Sequence, residues 1–238
     1  MSLFRGWLRK KHARGYGIHS PFAFDLITNV IHARYGYYAF HDLRQILSEN
    51  GLEGFATPAL NHLSFRLVHY FNAKHILEIN AANGVNTCYL TAPASDIHCT
   101  CVETDREKVA IARKLQAASG RKCEIVSEIP LFGSQPYNTI TENGMKTAQD
   151  EAVPLSPQQQ YDAIFINLNG KKEVPSIETL LQLSHEKTFW VIYPLKSSVS
   201  KQFWRNIVHD ERISITFDRK EVGIAFLRFS YHKMHYLV

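Results

Sequence analysis

The chain has 238 residues and a mass of 27.3 kDa, enough for one large domain or for a domain with a small cap. Hydrophobic residues make up 45% and charged residues 21%, a globular composition that excludes disordered and fibrous proteins. The sequence has no run of about 18 apolar residues, which excludes a membrane-spanning helix. Arg5 and Arg9 interrupt the first apolar residues, so we expect no secretory signal.

The cysteines lie in apolar runs and lack the CxxC spacing of metal or redox motifs: Cys88, Cys99, Cys101 and Cys123. This pattern favours reduced thiols in a protein core over a metal or redox site. It predicts a cytoplasmic protein.

The formal net charge of +5 comes from one short segment. Residues 1–14 carry five basic side chains and no acidic one, and the rest of the chain is balanced. With Phe4, Trp7 and Leu8, these charges are suited to phosphate backbones or to an anionic membrane. The alternative, which we favour, is a terminal arm that packs its aromatic side chains on the domain. Nucleic-acid binding is therefore not the expected function.

Helical patterns follow the arm. Ser20 and Pro21 predict a helix start, because a serine hydroxyl caps free backbone N–H groups and proline suits the first turn. Apolar residues then recur at helical spacing from residue 24 to residue 31. A short helix is predicted over 41–47 and an amphipathic helix over 58–71.

Short apolar runs alternate with helical segments in the rest of the chain. This alternation predicts a parallel sheet with helices on both faces. The predicted strands lie at 75–79, 98–103, 122–126, 161–166 and 189–193. The predicted helices lie at 85–90, 105–118, 174–185 and 198–208.

The carboxyl-terminal segment breaks this alternation. Only three residues separate strand-like runs at 212–218 and 222–231, and so short a connection joins antiparallel strands. The predicted fold class is therefore α/β, with a Rossmann-like, mostly parallel seven-stranded sheet that ends in an antiparallel C-terminal hairpin and carries an N-terminal helical cap.

The chain is predicted to have two regions. Residues 1–60 form the basic arm and the helical cap, and residues 61–238 form the α/β domain. Residues 129–160 contain four prolines and show no clear helical or strand periodicity in their apolar residues. We expect this segment to form a partly ordered cover over the strand ends.

The topology places a candidate site after the first strand. Open parallel sheets bind ligands beyond the carboxyl ends of their strands. Glu78 is followed there by the small residues of the segment 80–84, which allow a ligand to approach the backbone. Glu103 ends the second strand, where a carboxylate can accept the hydroxyl groups of a ribose. Together these features predict a site for an adenosine-containing ligand; a plain tight turn with a helix-capping acid is the alternative.

Several motifs resemble those of class I S-adenosylmethionine (SAM)-dependent methyltransferases. The run Ile76–Gly84 resembles their glycine-rich first motif, and Val102–Asp105 with Ala110–Arg113 resembles their second. Tyr161–Asn167 is similar to the fourth strand of the small-molecule O-methyltransferase branch, and Glu221–Phe226 to the antiparallel last strand of that fold.

The two ends of the domain add to this likeness. Gly17–Phe22 and Lys233–Tyr236 resemble a little-characterised bacterial branch of methyltransferase-like proteins, so that the resemblance spans residues 15–238. It implies SAM as the cofactor. The initial acid contacts the methionine ammonium group directly or through water, the glycine positions approach the carboxylate, and the second acid holds the ribose. The implied cofactor-binding residues are Glu78, Asn80, Ala82, Gly84, Glu103 and Asn167.

The chain departs from the family pattern at two places. Asn80 and Ala82 occupy positions where glycine is usual, and their side chains disfavour a positive φ angle or a close approach. Asn167 and Tyr193 with Pro194 occupy positions where the cation-dependent members hold magnesium with aspartate. Because magnesium prefers carboxylate oxygens, we expect no metal site.

The absence of a metal would leave the reaction dependent on a general base and on in-line positioning. The candidates are Asp162, Tyr193 and His19. A structural role is the favoured interpretation of Asp162 and of His19, and core packing is an equal alternative for Tyr193. No catalytic residue is therefore assigned.

These features predict a metal-independent, SAM-dependent methyltransferase with a small-molecule methyl acceptor. The alternative is a catalytically inactive member of the fold that serves as a binding or interaction protein. A third hypothesis, an RNA methyltransferase, depends on the basic arm alone. The sequence leaves the oligomeric state open, with a homodimer as one alternative.

Overall fold

The computed structural model describes residues 3–121, 123–130, 160–227 and 232–238. The predicted cover at 129–160 lies outside these residues except at its ends. That cover and the division of the chain after residue 60 therefore stay predictions.

Helical segments fill the chain before the first strand; the α-helices after residue 20 are predicted, whereas the helix formed by the arm is not. They are α1 (Leu3–His12), α2 (Pro21–Asp25), a π-helical turn (Leu26–Ile31), α3 (Tyr38–Glu49), a 3-10 turn (Glu53–Phe55) and α4 (Pro58–Phe71). Ser20 caps α2 as predicted, since its Oγ accepts a hydrogen bond from the backbone N–H of Ala23 at 3.2 Å. Helix α3 exceeds the predicted range 41–47 by a turn because Phe40 is also buried in its apolar face.

Strands and helices alternate from residue 75 onward. The elements are β1 (His75–Ile79), α5 (Val85–Thr91), β2 (His98–Val102), α6 (Arg106–Ser119), β3 (Cys123–Val126), β4 (Tyr161–Asn167), α7 (Ile177–Gln182), β5 (Ser184–Tyr193), α8 (Ser198–His209), β6 (Ile215–Asp218), β7 (Gly223–Phe226) and β8 (Met234–Leu237). Helix α7 ends earlier than predicted because Ser184 already pairs with Tyr161 as the start of β5.

The described strands form one sheet in the order β3-β2-β1-β4-β5-β7-β6-β8. Strands β1 to β5 are parallel, and β7 runs antiparallel to both β5 and β6, which confirms the predicted parallel sheet and terminal hairpin. The predicted number of seven strands is wrong, because β8 pairs in parallel with β6 and makes an eighth. Two exposed residues followed by two buried ones give β8 no alternating pattern that would mark it in the sequence.

Two apolar cores cover the faces of the sheet, as expected for a Rossmann-like fold. Helices α2 and α4 pack on one face, for example through Ala23 and Leu63, and α7 and α8 pack on the other through Leu180 and Phe203. Successive strand residues point to opposite faces. Glu78 of β1 therefore points into the first face, among apolar side chains.

The basic arm folds as α1 and lies against the last strands. Arg9 Nη2 pairs with Asp218 Oδ1 at 2.8 Å, and its Nη1 donates to the main-chain oxygen atoms of Asp218 and Val238. His12 Nδ1 donates to the carbonyl oxygen of Leu237 at 3.0 Å. The expected packing through aromatic side chains is wrong for Trp7, which is 57% exposed. The polar contacts of Arg9 and His12 join the arm to the last strands.

None of the described helices has the length and apolar character needed to span a membrane.

Candidate functional site

A loop of residues 80–84 leaves the carboxyl end of β1 and leads into α5. Three of its residues have a left-handed backbone, with φ angles of 60° at Asn80, 53° at Ala82 and 77° at Gly84. Such angles favour glycine, because a Cβ atom crowds the following carbonyl oxygen. The loop thus keeps the backbone of a glycine-rich turn although two of the three residues carry side chains.

Asn80 has a partner that compensates for its conformation. Its Nδ2 donates to the main-chain oxygen of Asn167 at 2.9 Å, which ties the end of β1 to the end of β4. Asparagine also tolerates left-handed angles better than most residues. For Ala82, the hydrogen bond found among the described residues runs from its backbone N–H to Glu103 Oε2 at 2.9 Å.

We expect Ala82→Gly to raise the free energy of unfolding by about 1 kcal/mol, because glycine relieves the left-handed backbone. The matched control is Ala81→Gly in the same loop, where φ is not positive. This control should lower the free energy of unfolding, since glycine adds entropy to the unfolded chain. Denaturant unfolding of both variants provides the measurement. Equal losses in the two variants would show that Ala82 is not strained.

Glu103 lies directly after β2 and is almost fully buried. Besides the bond from Ala82, its Oε1 accepts hydrogen bonds from the backbone N–H groups of Thr104 at 2.9 Å and Asp105 at 3.0 Å. A carboxylate offers about four acceptor positions. Three are occupied, so Glu103 can accept one ribose hydroxyl group and not the two that the sequence analysis allowed.

Glu78 is fully buried beneath the site and does not reach solvent. Its carboxylate accepts hydrogen bonds from Thr87 Oγ1 at 2.5 Å, from Asn86 Nδ2 at 2.9 Å and from the Tyr193 hydroxyl group at 3.4 Å. Burial raises the pKa of Glu78 to about 7, although the three hydrogen bonds act to lower it. Through these hydrogen bonds Glu78 fixes the positions of Asn86 and Tyr193, whose side chains line the cleft.

Those side chains form a chain of polar contacts. Asn61 of α4 accepts from the backbone N–H of Thr57 at 2.7 Å and donates to Asn86 Oδ1 at 3.0 Å, and Asn86 in turn donates to Glu78. Burial, followed by the Glu78 carboxylate, raises the pKa of Tyr193 well above its ordinary value, so that its hydroxyl group remains a donor. Sequence reasoning missed Asn61 and Asn86. The available signal was an amide side chain in the apolar face of a helix.

A cleft of about 310 Å³ opens above this chain, at the lower end of the range for small-molecule sites. It lies at the carboxyl ends of β1, β4 and β5, where the topology predicts a ligand. Its polar and charged lining includes Asn61, Glu78, Asn86, Asn167, Tyr193 and Lys196. Apolar side chains close one side, among them Phe55 and Leu60.

The structure brings most of the predicted site residues together. Ala82 and Asn167 line the cleft, and the buried Glu78 lies at its base. Gly84 and Glu103 line a cavity of about 20 Å³ behind the loop, which shares Ala82 with the cleft. A cavity of this size holds one water molecule. A larger ligand therefore has to reach Glu103 from the side of the cleft.

Two of the candidate bases lie away from the cleft. Asp162 Oδ2 accepts hydrogen bonds from the backbone N–H groups of Lys74 at 2.7 Å and His75 at 2.8 Å, and its Oδ1 lies 3.1 Å from His185 Nε2. Asp162 is thus the structural residue that we favoured, near the amino end of β4. His19 is exposed and is not part of the cleft lining.

The donor atoms of the cleft do not fit magnesium, which prefers carboxylate oxygens. Asn167 Oδ1 accepts from the backbone N–H of Asn169 at 3.0 Å, and the Tyr193 hydroxyl group donates to Glu78. Among the described lining residues, the other carboxylate is that of Glu221, which pairs with Lys196 at 3.3 Å.

Solved structures share this fold at low sequence identity. An O-methyltransferase from Bacillus cereus, in complex with SAH, is 15% identical, with a TM-score of 0.53 over 81% of this chain and 92% of that chain. The SAH-bound Podospora anserina methyltransferase PaMTH1 is 13% identical, with a TM-score of 0.55 over 87% of this chain and 96% of that chain.

The O-methyltransferase TomG from Streptomyces achromogenes, in complex with SAM, is 15% identical, with a TM-score of 0.50 over 81% of this chain and 91% of that chain. No protein-family model and no curated protein matches the sequence. The solved structures establish that this chain has the Rossmann-like fold of class I O-methyltransferases.

Proposed function

We propose that the chain is a SAM-dependent methyltransferase that acts on a small molecule without a metal ion. The observation that carries this proposal is the loop at residues 80–84, which keeps a glycine-like backbone at Asn80 and Ala82 and bonds directly to Glu103. Strained backbone of this kind persists where the surrounding structure holds it, typically at ligand sites. The likeness of the fold to proteins solved with SAM or SAH supports the same cofactor.

The residues present fit that cofactor. The free acceptor position of Glu103 suits a ribose hydroxyl group, and the backbone of the loop allows close approach of the methionine portion at Ala82 and Asn83. When bound, SAM supplies an electrophilic methyl group. Tyr193 donates its hydroxyl hydrogen to Glu78 and accepts from Asn86 Nδ2, so one acceptor position of its oxygen is left to position the methyl acceptor. Phe55 provides apolar contact. The transfer then depends on in-line orientation.

We expect Glu103→Gln to weaken binding of S-adenosylhomocysteine by about 10- to 100-fold, the effect of one hydrogen bond to a charged group. Calorimetric titration measures the affinity. The control is Glu107→Gln, which removes an exposed carboxylate four residues away in α6 and should leave the affinity unchanged.

Deoxyribose analogues separate ribose recognition from a structural effect on the loop. The wild-type protein should bind one of the 2′-deoxy and 3′-deoxy analogues more weakly than the parent compound, and Glu103→Gln should bind all three alike. These affinities should be equal with magnesium and with a chelator. A magnesium requirement would refute the metal-independent part of the proposal, and the absence of binding to the wild-type protein would leave the inactive-scaffold alternative.

A further inference from the structure

A second concave site lies beside α8, separated from the cleft by the turn between β6 and β7. Its volume is about 630 Å³. Lys220 of the turn faces this site, whereas the next residue, Glu221, lines the cleft. We call this site the basic groove, and its main polar lining residues are Arg9, Lys201, Trp204, Arg205, Lys220 and His235.

The basic groove has an excess of positive charge. Among its described lining residues, the one carboxylate is that of Asp218, which pairs with Arg9 at 2.8 Å. Lys201, Arg205 and Lys220 are exposed, and none of the three has a carboxylate within ion-pair distance in the described parts of the chain. Three uncompensated cations around one concave surface form a field that attracts an anion.

A buried donor at the groove lacks an acceptor. Trp204 is only 5% exposed, and its Nε1–H has no hydrogen-bond partner among the described residues. The Nε–H of Arg9, also at the groove, is buried without a partner. Buried donors in native structures are nearly always paired, because an orphaned donor is costly. Two such donors beneath a cationic surface indicate that an acceptor-rich ligand belongs there.

We propose that the basic groove binds the phosphate groups of a small phosphorylated compound. A phosphate offers several acceptor oxygens and at least one negative charge, which match the unpaired N–H groups and the cations. A compact ligand suits the concave shape, whereas a nucleic-acid strand would need a charged surface that extends beyond it. This site is independent of SAM binding in the cleft.

Calorimetric titration with inorganic pyrophosphate tests the proposal on the full chain. We expect Lys201→Gln with Arg205→Gln to weaken pyrophosphate binding at least tenfold. The charge-matched control is Lys114→Gln with Lys187→Gln, two exposed residues outside the groove, and it should bind as the wild-type protein does. Affinity for S-adenosylhomocysteine should be the same in both double variants, so the result is separate from that on the proposed function.

Trp204→Phe tests the unpartnered donor itself. The ring contacts are largely kept and the N–H is removed, so we expect weaker pyrophosphate binding in a protein that unfolds at the same temperature or higher. No binding of pyrophosphate to the wild-type protein, or equal binding to both double variants, would overturn the proposal. Binding of a 12-nucleotide RNA but not of pyrophosphate would also overturn it and point to nucleic acid.

Discussion

Between pH 5 and pH 8, the free energy of unfolding of the wild-type protein should fall by about 3 kcal/mol relative to that of Glu78→Gln. The cause is the pKa of Glu78, which burial raises from 4.5 to about 7. Between these two values the folded state binds a proton that the unfolded state has lost, so the stabilisation is complete below pH 4.5 and is lost as the pH rises through 7. Glutamine resembles the protonated acid and does not titrate.

The comparison with the variant is needed because other groups titrate in the same range. Burial lowers the pKa of His32 and His62, which makes their contribution to stability increase with pH up to about 6.5. Both histidines are present in both proteins, so their effects cancel. Urea unfolding at several pH values gives the two curves. Parallel curves would contradict a raised pKa at Glu78.

Gly84→Ala should lower the free energy of unfolding by about 2–4 kcal/mol. A Cβ atom at Gly84 would lie 3.1 Å from Ala112 Cβ and 3.3 Å from Ala112 Cα, so it would push α5 away from α6. The φ of 77° adds the cost of a left-handed residue. Because this close approach forms one wall of the loop at residues 80–84, we expect the variant also to lose affinity for S-adenosylhomocysteine.

Gly120→Ala separates the steric contact with Ala112 from the cost of the positive φ angle. Gly120 has a φ of 63°, but a Cβ atom there meets no heavy atom within 4 Å. We expect this variant to lose about 1 kcal/mol, the cost of the backbone angle alone. The difference between the two variants, measured by denaturant unfolding, is the energy of the contact with Ala112. Equal losses would show that α5 and α6 separate without cost.

The sequence predicts the architecture well where strong local signals exist. The alternation of apolar runs with helices predicts the parallel sheet, and the three residues between the predicted runs 212–218 and 222–231 predict its antiparallel end. Strand β8 lacks such a signal because it has four residues and no alternation. No local sequence signal predicts how α1 packs on the sheet either, because its position depends on an ion pair between Arg9 and Asp218, which are far apart in the sequence.

The candidate site is predictable in part. Glu78, Ala82 and Asn167 lie at the cleft because each is in the last two residues of a parallel strand or in the loop directly after it, and strand ends meet at one edge of the sheet. The burial of Glu78 and the engagement of Glu103 by three N–H groups were not predictable. The burial of Glu78 depends on contacts with residues distant in the sequence, such as Tyr193. The three hydrogen bonds to Glu103 depend on the backbone conformation at Ala82, Thr104 and Asp105.

A crystal structure of the protein soaked with S-adenosylhomocysteine tests the central claim most directly. We predict density for the ligand along the loop at residues 80–84, with one ribose hydroxyl group within hydrogen-bond distance of Glu103 and the amino-acid portion near Ala82. Density for the ligand elsewhere, or an unchanged cleft at saturating concentration, would contradict the proposed site and leave only the methyltransferase fold.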